Sequence, residues 1–234
     1  MDDLWQVVVA MQNAATAAGV SLVTGDTKVV DKGTGDKIFI TTSGVGVVPP
    51  GIQINPANAR PGDNIIINGP IAEHGIAIMS VREGLQFEAP VKSDTAPLNG
   101  LVDAMLSACN TVHVLRDPTR GGVASVLNEI AGAASVGISI DEETIPVDDA
   151  VRGACEILGF DPMYVANEGR FVAFVAPRDA ERALAIAREH SLGQGAAIIG
   201  SVTSEPSGLV TMKSLIGASR VIDMISGEQL PRIC

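Results

Sequence analysis

Leu4, Val7, Val8, Met11, Ala14, Ala15 and Ala18 recur at steps of three and four residues, the spacing of one helical face, and predict a helix over residues 3–18. Asp2 or Asp3 is placed to cap its start and Gly19 to stop it. Short apolar runs bounded by turn residues predict strands at Ser21–Thr24, Lys37–Thr42, Asn64–Asn68, Thr111–Leu115, Gly137–Ile140, Phe171–Val175, Ala196–Thr203 and Leu209–Met212. Helical spacing returns over residues 76–83, 97–109, 122–134, 149–158 and 177–190, with a loop through His74-Gly75 before the first of these. Several strands alternate polar with apolar positions instead of running apolar throughout. The pattern therefore predicts an α+β fold, helices layered on a mixed or antiparallel sheet, and not a doubly wound parallel one. Turn residues crowd the stretch from Pro49-Pro50-Gly51 to Arg60-Pro61-Gly62-Asp63, the predicted domain boundary. From residue 221 to the end the chain has no periodicity and reads as a loose tail.

Composition narrows the class. A length of 234 residues predicts one or two domains, at about 150 residues each. Apolar residues make up 46% and charged residues 18%, which excludes disorder as the main state. Aromatics are only 3%, so the core must be built from Val, Ile, Leu and Ala. Sixteen basic against 27 acidic residues give a net charge of −11, which argues against a nucleic-acid partner. No apolar run reaches the roughly 18 residues of a membrane span. Met1-Asp2-Asp3-Leu4-Trp5 lacks the basic start of a signal peptide, so the expected location is the cytoplasm. Three cysteines are too few and too scattered for a disulfide scaffold or a zinc site. Cys109 and Cys155 fall on apolar helix faces and read as core thiols. Cys234 is the last residue of the chain.

Four segments have the residue types for chemistry. In Thr24-Gly25-Asp26-Thr27-Lys28, at a predicted strand end, Gly25 permits close backbone approach to a ligand. Asp26 suits Mg²⁺ or a phosphate held through it, and Lys28 adds a point charge; an ordinary strand-end turn is the alternative. In Arg116-Asp117-Pro118-Thr119-Arg120-Gly121-Gly122, a helix start offers free N–H groups to an anion and Arg120 a planar cation. Plain capping by Asp117 or Thr119 competes with that reading. In Ala166-Asn167-Glu168-Gly169-Arg170, Glu168 is either a general base or a solvated carboxylate. In the terminal Leu230-Pro231-Arg232-Ile233-Cys234, the thiol is a nucleophile or group carrier, or an incidental terminal residue. His74 is open between a loop histidine and a site residue. His113 and His190 are assigned no role.

Together and in this order, these segments resemble the hydrogenase maturation factor HypE family, the carbamoyl dehydratases of nickel–iron hydrogenase assembly. The resemblance rests on Thr24-Gly25-Asp26-Thr27-Lys28-Val29-Val30, Asp117-Pro118-Thr119-Arg120-Gly121-Gly122, Asn167-Glu168-Gly169 and the highly specific Pro231-Arg232-Ile233-Cys234. Glu73-His74-Gly75-Ile76-Ala77-Ile78 and Ser93-Asp94-Thr95-Ala96-Pro97-Leu98 also look like the family. The family often has aspartate where this chain has Glu73, which is therefore given no role. The wider superfamily includes aminoimidazole ribonucleotide synthetase, selenophosphate synthetase and thiamine monophosphate kinase, all ATP-dependent.

The resemblance implies an aminoimidazole ribonucleotide synthetase-like two-domain fold, a homodimer, ATP and Mg²⁺. It also implies ATP-driven dehydration of a carbamoyl group on Cys234 to a thiocyanate, the source of a cyanide ligand for iron. A HypF-type carbamoyltransferase would load Cys234, and a HypC–HypD-type complex would receive the product. By the same resemblance Asp26 binds Mg²⁺, Lys28 sits near the transferring group, and Glu168 takes the amide protons. Gly25, Asp26, Thr27, Asp117, Arg120, Gly121 and Gly122 meet the nucleotide or the anionic intermediate. A substantial N-terminal portion of the family is absent. Residues 1–55 are thus expected to be the remainder of an N-terminal ATP-binding and dimerisation domain, residues 56–220 a C-terminal α/β domain, and residues 221–234 a tail ending in the carrier cysteine. The sequence is either a fragment or a mis-assigned start, or a second chain supplies the rest. A small-molecule kinase or synthetase of the same superfamily and a non-catalytic docking fragment are the competing readings.

Overall fold

The computed structural model describes residues 2–31, 33–35, 37–84 and 90–224. Its internal contacts divide the chain into Met1–Ile52 and Gln53–Cys234. In the first unit, α1 (Asp2–Ala18) is the regular element among the described residues, with Asp2 and Asp3 at the positive end of its dipole. Val7, Met11, Ala15 and Ala18 form its half-buried stripe, as the periodicity predicts. The strands expected at residues 21–24 and 37–42 are not formed. A strand exists through the ladder it shares with a neighbour, and the described residues of this unit offer none. Val23, Val29, Phe39, Val45 and Val47 are accordingly exposed.

The second unit is built on a seven-stranded sheet in the order β2-β4-β1-β5-β3-β6-β7. The strands are β1 (Asn64–Ile67), β2 (Val112–Arg116), β3 (Gly137–Asp141), β4 (Val172–Val175), β5 (Ala197–Thr203), β6 (Val210–Lys213) and β7 (Ser219–Val221). Only β3 and β6 pair in parallel; the other neighbours are antiparallel. The predicted mixed α+β architecture is what forms. Its helices are α2 (Glu73–Glu83), α3 (Asn99–Ala108), α4 (Gly122–Ala134), α5 (Asp149–Leu158) and α6 (Pro177–Glu189).

Period-two alternation divides the core between the two sheet faces. Ile65, Ile67, Val172 and Phe174 join a cluster with residues of α4 and α5. Ile66, Ala173 and Val175 join a second cluster with residues of α3 and α6. Both faces are thus covered, and β1 and β4 run apolar instead of alternating with polar residues.

Two boundaries differ from expectation. The loop predicted through His74-Gly75 is the first turn of α2, closed by the Ile76 N–H donating to the Ala72 carbonyl at 3.1 Å. Residues 221 and 222, expected to open the tail whose residues 225–234 lie outside the described residues, belong to the folded unit: Val221 closes the unforeseen β7, and Ile222 is fully buried. Its N–H donates to the Val210 carbonyl at 2.8 Å.

Candidate active site

The sheet topology gathers three segments that are far apart in sequence. β1 and β2 both run antiparallel to β4, and Ile67 and Arg116 each align with Val172. The turn after β1 (residues 68–73), the loop after β2 (117–121) and the segment before β4 (163–171) therefore meet beyond one end of these three strands.

Asn167, fully buried, ties them together. Its Oδ1 accepts the Ala72 N–H at 2.8 Å, and its Nδ2 donates to the carbonyls of Pro118 and Val165, each at 3.0 Å. Glycines allow the segments to close. A Cβ on Gly75 would lie 2.3 Å from Val165 Cγ1, and one on Gly169 would lie 1.7 Å from the Asp94 carbonyl oxygen. The Gly75 N–H donates to the Ala166 carbonyl at 3.1 Å.

Glu168 is carried on this clasp. Its N–H donates to Asp94 Oδ1 at 3.0 Å, and its own Oε1 is buried without a partner. Burial pushes the Glu168 carboxyl above its ordinary value; nearby His74 opposes this, and the like charges of Asp94 and Asp117 add to it. A solvated carboxylate would show none of these features, so the environment suits the general-base reading.

Four further residues, to which sequence reasoning gave no role or left the role open, surround it. The Asp94 side chain is fully buried, with Oδ2 3.7 Å from Arg170 Nε. Arg170 donates to the carbonyls of Pro70 at 2.6 Å and Gly169 at 3.2 Å, and pairs with Glu73. Burial outweighs that pairing and pushes Glu73 above the usual carboxylate range. His74 is buried, and its Nδ1 shares a 2.9 Å hydrogen bond with Ser93 Oγ. The family-like stretches around Glu73 and Ser93 were the available signal for all four but Arg170, which adjoins the Asn167-Glu168-Gly169 motif.

The loop before α4 has a packing cause as well as any chemical one. Gly121 (φ 71°) occupies the cap position and no side chain caps the helix, so the Asp117 and Thr119 capping alternative does not hold. The Gly122 N–H donates to the Thr119 carbonyl at 3.1 Å, and a Cβ there would lie 2.4 Å from the Met163 carbonyl oxygen. Gly122 is thus a close-approach glycine with its N–H already used. Gly121 is half-buried, whereas Arg120 and Asp117 are exposed; Asp117 pairs with Arg116.

Gly25, Asp26, Thr27 and Lys28 belong to the first unit and are all exposed. Asp26 Oδ1 accepts the Thr27 N–H at 2.9 Å, a local turn bond. Cys234 lies outside the described residues. Cys109 and Cys155 are buried, as expected of core thiols, and burial pushes Cys155 up to about 11. His113 bonds Asp63 at 2.8 Å, a structural latch to the loop before β1. No helix among the described residues is long and apolar enough to cross a membrane.

Residues 60–213 match the family model for the AIR synthase related protein, C-terminal domain. The carbamoyl dehydratase HypE of Azotobacter vinelandii is 53% identical over 232 residues, covering 99% of this chain and 68% of that protein. Among solved structures, HypE in a HypE–HypF complex is 50% identical with a TM-score of 0.91, covering 95% of this chain and 72% of that one. A HypE structure in complex with ATP is 43% identical with the same TM-score, covering all of this chain and 71% of that one. Matched at this identity over nearly its whole length, the chain belongs to the HypE family of hydrogenase maturation proteins.

Proposed function

We propose that this chain serves in an ATP-dependent carbamoyl dehydratase of hydrogenase maturation, converting a carbamoyl group on Cys234 into a thiocyanate that supplies cyanide to an iron centre. The observation that carries the reading is Glu168: a half-buried carboxylate of raised proton affinity, with one oxygen buried and unpartnered, on a clasp beside the start of α4. Dehydrating a carboxamide removes its oxygen as a leaving group and both protons from its nitrogen. ATP supplies the activation of the oxygen by phosphorylation. Glu168 takes the nitrogen protons. The names of the HypE relatives, one solved with ATP and one with HypF, support the substrate, nucleotide and partner in this reading.

The remaining roles are assigned on residue chemistry. Arg120 and the half-buried Gly121 face developing negative charge, since Gly122 has no N–H to spare. Asp117 belongs to the same loop and orients it through Arg116. Gly25, Asp26, Thr27 and Lys28, on the first unit, are assigned to the nucleotide by their residue types. Mg²⁺ in such enzymes is held by one or two carboxylates plus phosphates, and Asp26, exposed with Oδ2 uncommitted, fits that donor set. Cys234 is the carrier. The partners in this proposal are a HypF-type carbamoyltransferase and a HypC–HypD-type iron scaffold, with a second copy of the chain in a homodimer.

Intact mass tests the reaction. Chain carrying the carbamoyl adduct on Cys234 is incubated with Mg-ATP, alone and as a fusion preceded by the N-terminal third of a relative. Loss of one water, about 18 Da, in either form supports the proposal, since phosphoryl transfer to the amide oxygen ends in its departure. No mass loss in both forms sinks it. Phosphate release that survives deletion of the last four residues would instead favour a small-molecule kinase or synthetase.

A further inference from the structure

Glu168 is held through its backbone. Its Oε1 is buried without a partner, whereas its N–H donates to Asp94 Oδ1 at 3.0 Å. Asp94 belongs to a different segment, the strap of residues 90–98 between α2 and α3. The strap packs against the peptide that follows the base: a Cβ on Gly169 would lie 2.7 Å from the Asp94 carbonyl carbon and 3.1 Å from the Ala96 nitrogen. The Asp94 side chain is fully buried there, with Oδ2 3.7 Å from Arg170 Nε. One carboxylate thus spans the base, gripping the N–H of residue 168 and facing the guanidinium of residue 170. The strap is itself pinned. Ser93 Oγ shares a 2.9 Å hydrogen bond with His74 Nδ1 on α2 and accepts the Thr95 N–H at 3.2 Å.

We propose that Asp94 is a positioning residue for Glu168: its carboxylate, carried on a strap pinned to α2, holds the peptide that aims the base. The proposal rests on the reading of Glu168 as the base. Accepting one N–H does not require a buried carboxylate, since a neutral amide oxygen accepts without the cost of taking a charge out of water. What the carboxylate adds is its second contact, to Arg170. Arg170 in turn donates to the Pro70 carbonyl in the turn after β1. The peptide of Glu168 is thereby fixed against the strap on one side and the sheet on the other. Placement of this kind matters at a reacting group, because a displacement of about 1 Å can cost roughly a hundredfold in rate.

Amide hydrogen exchange followed by NMR tests the grip without any turnover. In Asp94→Ala the Glu168 N–H should exchange at least about tenfold faster than in wild type, as expected for loss of a hydrogen bond to a charged acceptor. In Asp94→Asn, which keeps an acceptor oxygen, it should stay within about threefold. The second readout is the single-turnover rate of dehydration at saturating Mg-ATP, in the fusion preceded by the N-terminal third of a relative. Asp94→Ala should lose about a hundredfold with the half-saturating ATP concentration unchanged, and Asp94→Asn should keep at least about a tenth of the wild-type rate. A packing defect would raise the ATP requirement as the rate falls, or slow both variants alike, and either result overturns the proposal. Wild-type exchange at Glu168 in Asp94→Ala overturns it too. Where Asp94→Ala does not fold, Asp94→Ser takes its place, with a polar atom that stops short of the Glu168 N–H. A wild-type fusion that loses no water removes Glu168 as the base, and amide exchange then still decides whether Asp94 holds its peptide.

Discussion

Replacing Asn167 by Ala should be among the most damaging single changes at the site. Asn167 is fully buried, and its three hydrogen bonds, at 2.8, 3.0 and 3.0 Å, all end on backbone groups of separate segments. Each bond is worth about 1 kcal/mol net, and the Ala72 N–H and Val165 carbonyl, left without the side chain, each add a desolvation cost of about 1–3 kcal/mol, whereas the Pro118 carbonyl keeps the Asn167 backbone N–H at 3.2 Å. Water can reach some of the freed groups, since Thr119 and Gly121 beside them are half-exposed. The expected loss is therefore about 3–5 kcal/mol, below the simple sum but at the top of the range for point mutants. In a unit of this size that lowers the melting temperature by roughly 6–20 °C. Differential scanning calorimetry at pH 7 measures it. Asn167→Asp provides the discriminating comparison. It keeps the acceptor for Ala72 but sets a carboxylate against the Pro118 and Val165 carbonyls, so it should be no better than Ala. If the Asn167→Asp variant melts within about 2 °C of wild type, where a buried repulsion should cost several degrees, the reading of Asn167 as the tie between three segments is refuted.

Three further outcomes follow from the same geometry. Gly169→Ala forces a methyl onto the Asp94 carbonyl and should destabilise by about 1–3 kcal/mol or more, whereas Gly132→Ala, exposed on α4 with nothing within 4 Å, should stabilise by about 0.4–1 kcal/mol; chemical denaturation compares them. Glu168 is held above its ordinary 4.5 by burial first, so protonation favours the fold: the contribution is full below the unfolded value and is lost as pH rises through the folded one. Glu168→Gln should accordingly melt higher than wild type at pH 7, with the gap closing as pH falls toward 4, while abolishing dehydration. Cys155, at about 11, has roughly one thiolate in a thousand at pH 8 and is buried, so peptide mapping after brief alkylation should find Cys109 and Cys155 unmodified until the chain is unfolded.

The second unit was largely legible in its sequence, because its signals are local. Helical spacing marked α5 and α6 to within a residue, and Gly121-Gly122 marked the start of α4. Where the signal needed a partner, it misled. Residues 21–24 and 37–42 have strand composition but no ladder among the described residues, and β7 is a three-residue polar strand that exists by pairing with β6. The site was legible as isolated segments and not as a place. Asn167 meets Ala72 across 95 positions and Asn68 meets Gly169 across 101, distances set by the antiparallel β1–β4 pairing and by no sequence period. The glycine pair shows how a correct signal can have another cause. Gly122 is surplus to capping and so invites an anion in the sequence, yet its missing side chain is required by the Met163 and Val165 carbonyls.

The bonds that hold the clasp also set the proton affinity of Glu168. Asp94 positions Glu168 by accepting its N–H, and by the same proximity places a like charge beside its carboxyl. Neutralising Asp94 would ease ionisation of Glu168 while loosening the backbone that carries it. Arg170 is shared between the Asp94 carboxylate, 3.7 Å from its Nε, the Glu73 carboxylate and the carbonyls of Pro70 and Gly169. Burial first, with Asp94 and Asp117, leaves Glu168 with a high proton affinity, as the proposed base needs if it is to take protons from an amide nitrogen. The arrangement stores unfavourable electrostatics at one end of the strands, and the buried Asn167 and close-approach glycines supply the packing that tolerates it.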